Sequence, residues 1–113
     1  MTAFAVDDSQ PDFRAEAKKS GKRHPSLLRE DLPELIDKLI EQPELGDRIR
    51  RLPAEVRKVR LGVRQQNLGS SGAYRLIYRV DRVSRVLQLL ALYYKPEIPD
   101  IGFREIAARL SRL

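Results

Sequence analysis

At 113 residues the chain is of one-domain size, long enough to bury roughly two-thirds of its surface, and it has no cysteine, which excludes disulfides and thiolate metal sites. The net charge of +6 is uneven: residues 1–47 carry 7 basic and 11 acidic side chains, residues 48–85 carry 11 and 2, and residues 86–113 carry 4 and 3. An acidic front beside a strongly basic middle predicts one anion-seeking face; the plainer alternative is a solvated, arginine-rich surface.

In chain order, the short apolar run Ala3–Val6 predicts an edge strand. Pro11 suits a first helical turn, Phe13 and Ala17 share a helix face, and Ser20-Gly21 reads as the end of that helix. From Pro25 to Gln42, Leu28, Leu32, Leu35, Ile36, Leu39 and Ile40 recur at three and four, which predicts an amphipathic helix, kinked or restarted at Pro33 and ended by Pro43. Glu44–Glu55 reads as a connector. Val56–Arg64 alternates, with Val59, Leu61 and Val63 toward a core and Lys58, Arg60 and Arg64 on the opposite, cationic face. A turn cluster, Gln65–Gly72, leads to a second alternating run in which Tyr74, Leu76, Tyr78 and Val80 oppose Arg75, Ile77 and Arg79. Asp81–Ser84 is a tight connection into Val86–Tyr94, whose nearly all-apolar composition predicts a central strand buried on both faces. Pro96 and Pro99 break that run, and Ile101–Leu113 closes the chain as a short helix. Helices followed by strands indicate one α+β domain over residues 1–113.

Metal chemistry finds little support, because the one histidine, His24, precedes Pro25 at a helix start and reads as a surface residue. Ser70 and Ser71 lie in a Gly-Ser-Ser-Gly turn that has no histidine partner and fails the P-loop pattern, since no Gly-Lys-Ser/Thr follows it. Metal-free RNA cleavage asks for less. The nucleophile is the substrate's own 2′-hydroxyl, and the protein supplies alignment, charge and proton transfer. If the two arginine-bearing strands pair, their cations converge; a lysine crowded by arginines, Lys58 or Lys95, could then act as base, and the arginines would hold the scissile phosphate. Tyr93 or Tyr94 could stack on a base or serve as acid, but adjacent strand residues face opposite ways, so at most one is available. No cofactor is expected. The Met1–Asp8 segment lacks the basic start and apolar middle of a secretory signal, and the longest uncharged apolar run falls far short of the ~20 residues of a membrane helix, so a soluble, cytoplasmic protein without membrane association is expected.

The succession Val-Arg-Lys-Val-Arg-Leu, then Ser71-Gly72-Ala73-Tyr74-Arg75-Leu76-Ile77-Tyr78, then Tyr94-Lys95, behind a helical front, resembles the RelE/ParE superfamily of bacterial toxins, and most closely the RelE and HigB-like mRNA endonucleases, over about residues 25–110. The resemblance implies helices on a curved antiparallel sheet, cleavage of mRNA in the ribosomal A site, and neutralisation by a cognate antitoxin protein. It puts Lys58 and Arg60 on the family's basic strand, Arg75 on its phosphate-binding arginine and Lys95 on the lysine ending the last strand. RelE follows that lysine with an arginine and carries a tyrosine in its terminal helix, whereas this chain has Pro96 and Phe103 there. HigB-like members place a tyrosine near the strand end, so Tyr94 or Tyr93 is the substitute. The expected catalytic set is therefore Lys58, Arg60, Arg75, Tyr94 and Lys95, with Arg57, Arg64, Arg79 and Tyr93 along the RNA path. Two other functions compete: a ParE-like gyrase poison, disfavoured by retention of the basic set, and an RNA-binding relative without activity.

Overall fold

The computed structural model describes residues 3–64 and 73–113; the turn cluster expected at 65–72, with its Gly-Ser-Ser-Gly, lies outside the described residues. The elements run β1 (Ala5–Asp7), α1 (Pro11–Arg23), α2 (Leu32–Glu41), β2 (Asp47–Arg48), β3 (Val56–Leu61), β4 (Tyr74–Asp81), β5 (Val86–Tyr94) and α3 (Phe103–Ser111). One five-stranded sheet has the order β1-β5-β4-β3-β2, and all its pairs are antiparallel except β1 with β5, which is parallel. This is the α+β arrangement expected, with the helical front on the sheet.

Local chemistry explains the helical layer. Gln10 caps α1 by accepting the Phe13 N–H at 2.7 Å, with Pro11 behind it in the first turn. The helix does not end at Gly21. A Cβ there would lie 2.5 Å from Leu28 Cδ1, so this glycine serves close packing of two helical segments. The helix stops at His24, whose backbone leaves the helical region (φ −136°, ψ 87°) ahead of Pro25. Pro33 lacks the N–H that would reach back one helical turn, and just before it the chain widens into a π-turn over Leu27–Asp31, in which the Leu32 N–H bonds the Leu27 carbonyl. The anticipated interruption is thus a wide turn inside a nearly continuous helix.

Two departures alter the sheet. The connector 44–55 contains β2, which adds an edge strand to β3. Beneath the turn before it, the Tyr78 hydroxyl donates to the Pro43 carbonyl at 2.6 Å and accepts the Gly46 N–H at 3.0 Å. The second departure is a β-bulge: Ile77 pairs Ala91 and Tyr78 pairs Leu89, which leaves Leu90 without an opposite residue. Past the bulge β5 resumes its alternation, so its leucines divide between two cores. Leu61, Tyr74, Leu76, Tyr78, Leu87, Leu89 and Leu92 pack with Phe13, Leu27, Leu35 and Leu39 under α1 and α2. On the opposite face, Val56, Ile77, Leu90, Ala91 and Tyr93 pack with Ile106 of α3 and with Ile49, Leu52, Ile101 and Leu110. Alternation in β3 and β4 marks that face as a cationic track with Ile77 in it; its centre is a second, smaller core, consistent with the burial of β5 on both faces.

The helix α3 is held by charge as well as by packing. Residues 86–88 of β5 are covered by β1, and beyond them Arg109 Nη1 donates to the Leu90 carbonyl (2.9 Å) while Glu16 Oε1 of α1 accepts the Leu92 N–H (3.1 Å). Arg109 and Glu16 pair with each other at 2.8 and 2.9 Å. A bidentate ion pair thereby caps the otherwise open stretch of the strand and ties the two helical layers together around the sheet's margin. Among the described residues, no helix is long and apolar enough to cross a membrane.

Candidate functional site

Strand register decides which side chains meet. Arg60 lies opposite Arg75, and Arg75 lies opposite Tyr93, forming one row across β3, β4 and β5. Cβ atoms of directly opposed residues are about 5 Å apart, so the row is a contiguous patch. The next row inward on the same face is Asp47, Lys58, Ile77 and Ala91. Lys58 therefore stands about 7 Å along the strand from Arg60. Arg60 is exposed and makes no hydrogen bond or ion pair with any other described residue. Arg75 is buried and donates from Nη1 to the Tyr74 carbonyl at 3.0 Å, which fixes its side chain across the strand end.

One residue of this patch was not foreseen. Asp100, between β5 and α3, turns back over the sheet, and its Oδ1 accepts both the Tyr93 hydroxyl (3.0 Å) and the Lys58 ammonium (3.4 Å). Burial first, then the hydrogen bond to Asp100 and the charge of that carboxylate, push the Tyr93 phenol up to about 12, against the pull of Arg75. Tyr93 is consequently a protonated donor at neutral pH. Lys58 has a carboxylate partner and not only the cationic neighbours visible in the sequence. The one sequence signal for Asp100 is its rarity, as one of the 3 acidic residues after residue 85. Nothing local says that the Pro99–Ile101 segment folds back over β3, because that depends on Ile101 docking into the small core.

The other expected site residues are distributed differently. Tyr94 faces α1, in an aromatic cluster with Tyr74 (centroids 5.1 Å) and His24 (5.5 Å), and the Arg23 guanidinium lies 4.6 Å above its ring. The register puts it beside Leu61 and Tyr74, on the face opposite Arg75. His24, expected at the surface, is 9% exposed, with Nδ1 at 2.8 Å from the Tyr74 hydroxyl; burial and then Arg23 hold its pKa below the ordinary imidazole range. The carboxylate of Glu97 pairs with Lys19 (2.6 Å) and with Arg23, clamping the turn after β5 onto α1.

Arg57 belongs to that same helix-side face. It donates to Glu55 and to the Gly46 carbonyl, both at 2.8 Å, so it braces the β2–β3 hairpin. Arg64 lies three residues past the end of β3 at Leu61; Val63 still joins Leu61 in the helix-side core, but the Arg64 guanidinium turns to Asp31 (3.1 Å) and Glu34 (2.6 Å) of the helical layer. Arg79 is on the Arg75 face but about 13 Å along the strand, beyond Ile77, and donates to Gln88 at 2.7 Å. Lys95 follows the last residue of β5, exposed, with its N–H on the Ala73 carbonyl at 2.7 Å, which keeps it at the same end of the sheet as the row. Lys58, Arg60, Arg75 and Tyr93 thus share one patch with Asp100, Lys95 is at its border, and Arg57, Arg64, Arg79 and Tyr94 are elsewhere.

Such a patch can grip a phosphodiester: guanidinium forks suit its non-bridging oxygens, and a buried phenol supplies a neutral donor beside them. No protein-family model matches the sequence, and no curated protein matches it. Among solved structures, a double arginine-to-alanine mutant of the Escherichia coli toxin RelE in the free state superposes over 99% of both chains, with a TM-score of 0.61 at 20% identity. The chain has a RelE-like fold.

Proposed function

We propose that this protein is the toxin of a toxin–antitoxin pair and acts as a metal-independent endoribonuclease on mRNA in the ribosomal A site. The observation that carries the proposal is the Arg60–Arg75–Tyr93 row, with Lys58 beside it, on a fold shared with a bacterial toxin. In this mechanism Arg60 and Arg75 hold the non-bridging phosphate oxygens and stabilise the charge that builds on them as the 2′-oxygen bonds to phosphorus and the bond to the 5′-oxygen breaks. A lysine, Lys58 in the patch or Lys95 at its border, takes the proton of the 2′-hydroxyl. Tyr93, protonated at neutral pH, donates toward the departing oxygen. The ribosome contributes the alignment of the strand. No cofactor enters the scheme.

The same chemistry supports a partner. A row of opposed arginines on a cytoplasmic protein invites an acidic segment that neutralises it and excludes RNA, the task of an antitoxin. Primer extension on mRNA from cells expressing the chain is the direct test. Wild type should give cuts within translated reading frames and arrest growth, and Arg60→Ala should lower cutting about a hundredfold, the usual cost of losing one charge-stabilising donor. Because Arg60 is exposed, that variant should keep its melting temperature. Absence of cuts with wild type would overturn the proposal, and inhibition of DNA supercoiling by the purified protein would replace it with gyrase poisoning.

A further inference from the structure

We propose that Asp100 is a resident anion of the cationic patch, a carboxylate that occupies Lys58 and Tyr93 until a phosphodiester displaces it, and so sets the affinity of the site for its substrate. The inference rests on the proposed phosphodiester chemistry for its ligand but not for its geometry. Asp100 Oδ1 sits at 3.0 Å from the Tyr93 hydroxyl and 3.4 Å from Lys58 Nζ, bridging β5 and β3 across the intervening strand. It thereby occupies Tyr93 of the row and Lys58 beside it, two groups that a bound phosphodiester would also engage. Its own side chain is 66% exposed, so solvent screening keeps the pair weak enough to exchange.

The position of the carboxylate in the chain supports displacement. Residues 98–102 adopt no helix or strand, and the segment is bounded by Pro99 on one side and by Ile101, docked in the small core, on the other. A swing of the Asp100 side chain therefore releases both donors without moving β5 or α3. The charged groups facing Tyr93 here are Asp100 and Arg75, and their effects on its phenol oppose each other. Arg60 is exposed and its side chain pairs with no other described residue, so a cation remains to receive a first phosphate contact before the carboxylate departs.

Asp100→Asn keeps the shape and removes the charge. Two probes separate the inference from the nuclease reading: a short fluorophore-labelled single-stranded RNA, followed by anisotropy, and inorganic phosphate, followed through the ultraviolet titration of the Tyr93 phenol against a Tyr93→Phe control. The variant should bind both probes about three- to fivefold more tightly, with a steeper salt dependence for RNA, and its phenol should titrate at lower pH than in wild type. In cleavage assays KM should fall by the same factor. Tighter phosphate binding with no RNA binding by either protein would uphold the inference while removing the ribonuclease reading. Unchanged or weaker binding of both probes would overturn it, as would a fall in kcat at constant KM, which would make the carboxylate part of the chemistry. A phenol titration identical to wild type would also overturn it, since the contact itself would then be absent in solution.

Discussion

Tyr93 and Tyr94 are neighbours in the chain, yet each ends on a different face of one sheet and has a different environment. On the helix side, Tyr94 is enclosed by Tyr74, His24 and Arg23, and the nearby cations are matched within the molecule: Arg23 by Glu97, Arg57 by Glu55, Arg64 by Asp31 and Glu34. On the α3 side, Tyr93 meets Arg75 across the strand and shares one exposed carboxylate with Lys58, while Arg60 is left facing solvent. Of the basic middle third, Arg64 reaches Asp31 and Glu34 of the helical layer and Arg82 reaches Glu44, while Arg57 is matched by Glu55 beside it in the chain. The Arg60–Arg75 row lies on the other face of the sheet and is the candidate site.

The largest effect that should test this contrast concerns the pair joining the two faces. Arg109 is buried, and although burial alone would lower its pKa, the hydrogen bonds to Glu16 and Glu105 raise it above the ordinary value. Arg109→Ala leaves the Glu16 carboxylate without its partner and should cost about 3–5 kcal/mol in urea denaturation. Amide exchange at Leu92, whose N–H donates to Glu16, should accelerate with it.

A smaller loss is expected at acid pH. The hydrogen bond from Arg82, joined by that from Arg57 and opposed by burial, lowers the Glu55 carboxyl to about 2 from its ordinary 4.5. A depressed carboxyl contributes stability that is complete above the unfolded value and disappears as pH falls through the folded one, so the window is about pH 4.5 to 2. After allowance for the half-exposed Arg82, the loss should be about 2 kcal/mol, and Glu55→Gln should remove that portion of the acid dependence of the melting temperature.

The finest test compares the tyrosines directly. Tyr93→Phe removes the proposed proton donor from the patch and should lower the cleavage rate about a hundredfold with little change in stability. Tyr94→Phe retains the ring that contacts His24, Tyr74 and Arg23 and should leave both quantities within twofold. Reversal of the two outcomes would move the chemistry to the helix side.

Much of this architecture was legible from local pattern. Alternation along 56–61 and 74–80 assigns Lys58, Arg60 and Arg75 to one face because side chains of a strand alternate regardless of what surrounds them, and the repeat of three and four over 28–40 requires an apolar helix face for the same kind of reason. That at most one of the adjacent tyrosines could serve the site follows from the same geometry. Which one it is depends on register: the pairing of Arg75 with Tyr93, and the bulge at Leu90 that sorts the rest of β5 between two cores, are relations between strands and not properties of either one. Arg64 is taken from the row because Asp31 and Glu34 of the helical layer are in reach, and His24 is buried because Tyr74, fifty residues later, lies against it. Asp100 joins the patch only because its segment is anchored over the sheet by Ile101. Periodicity resides in the covalent chain, so the sequence by itself determined which side chains face together; pairing energies between distant segments belong to the assembled fold, so only the tertiary structure decided which charges would neutralise one another and which would remain to meet a ligand.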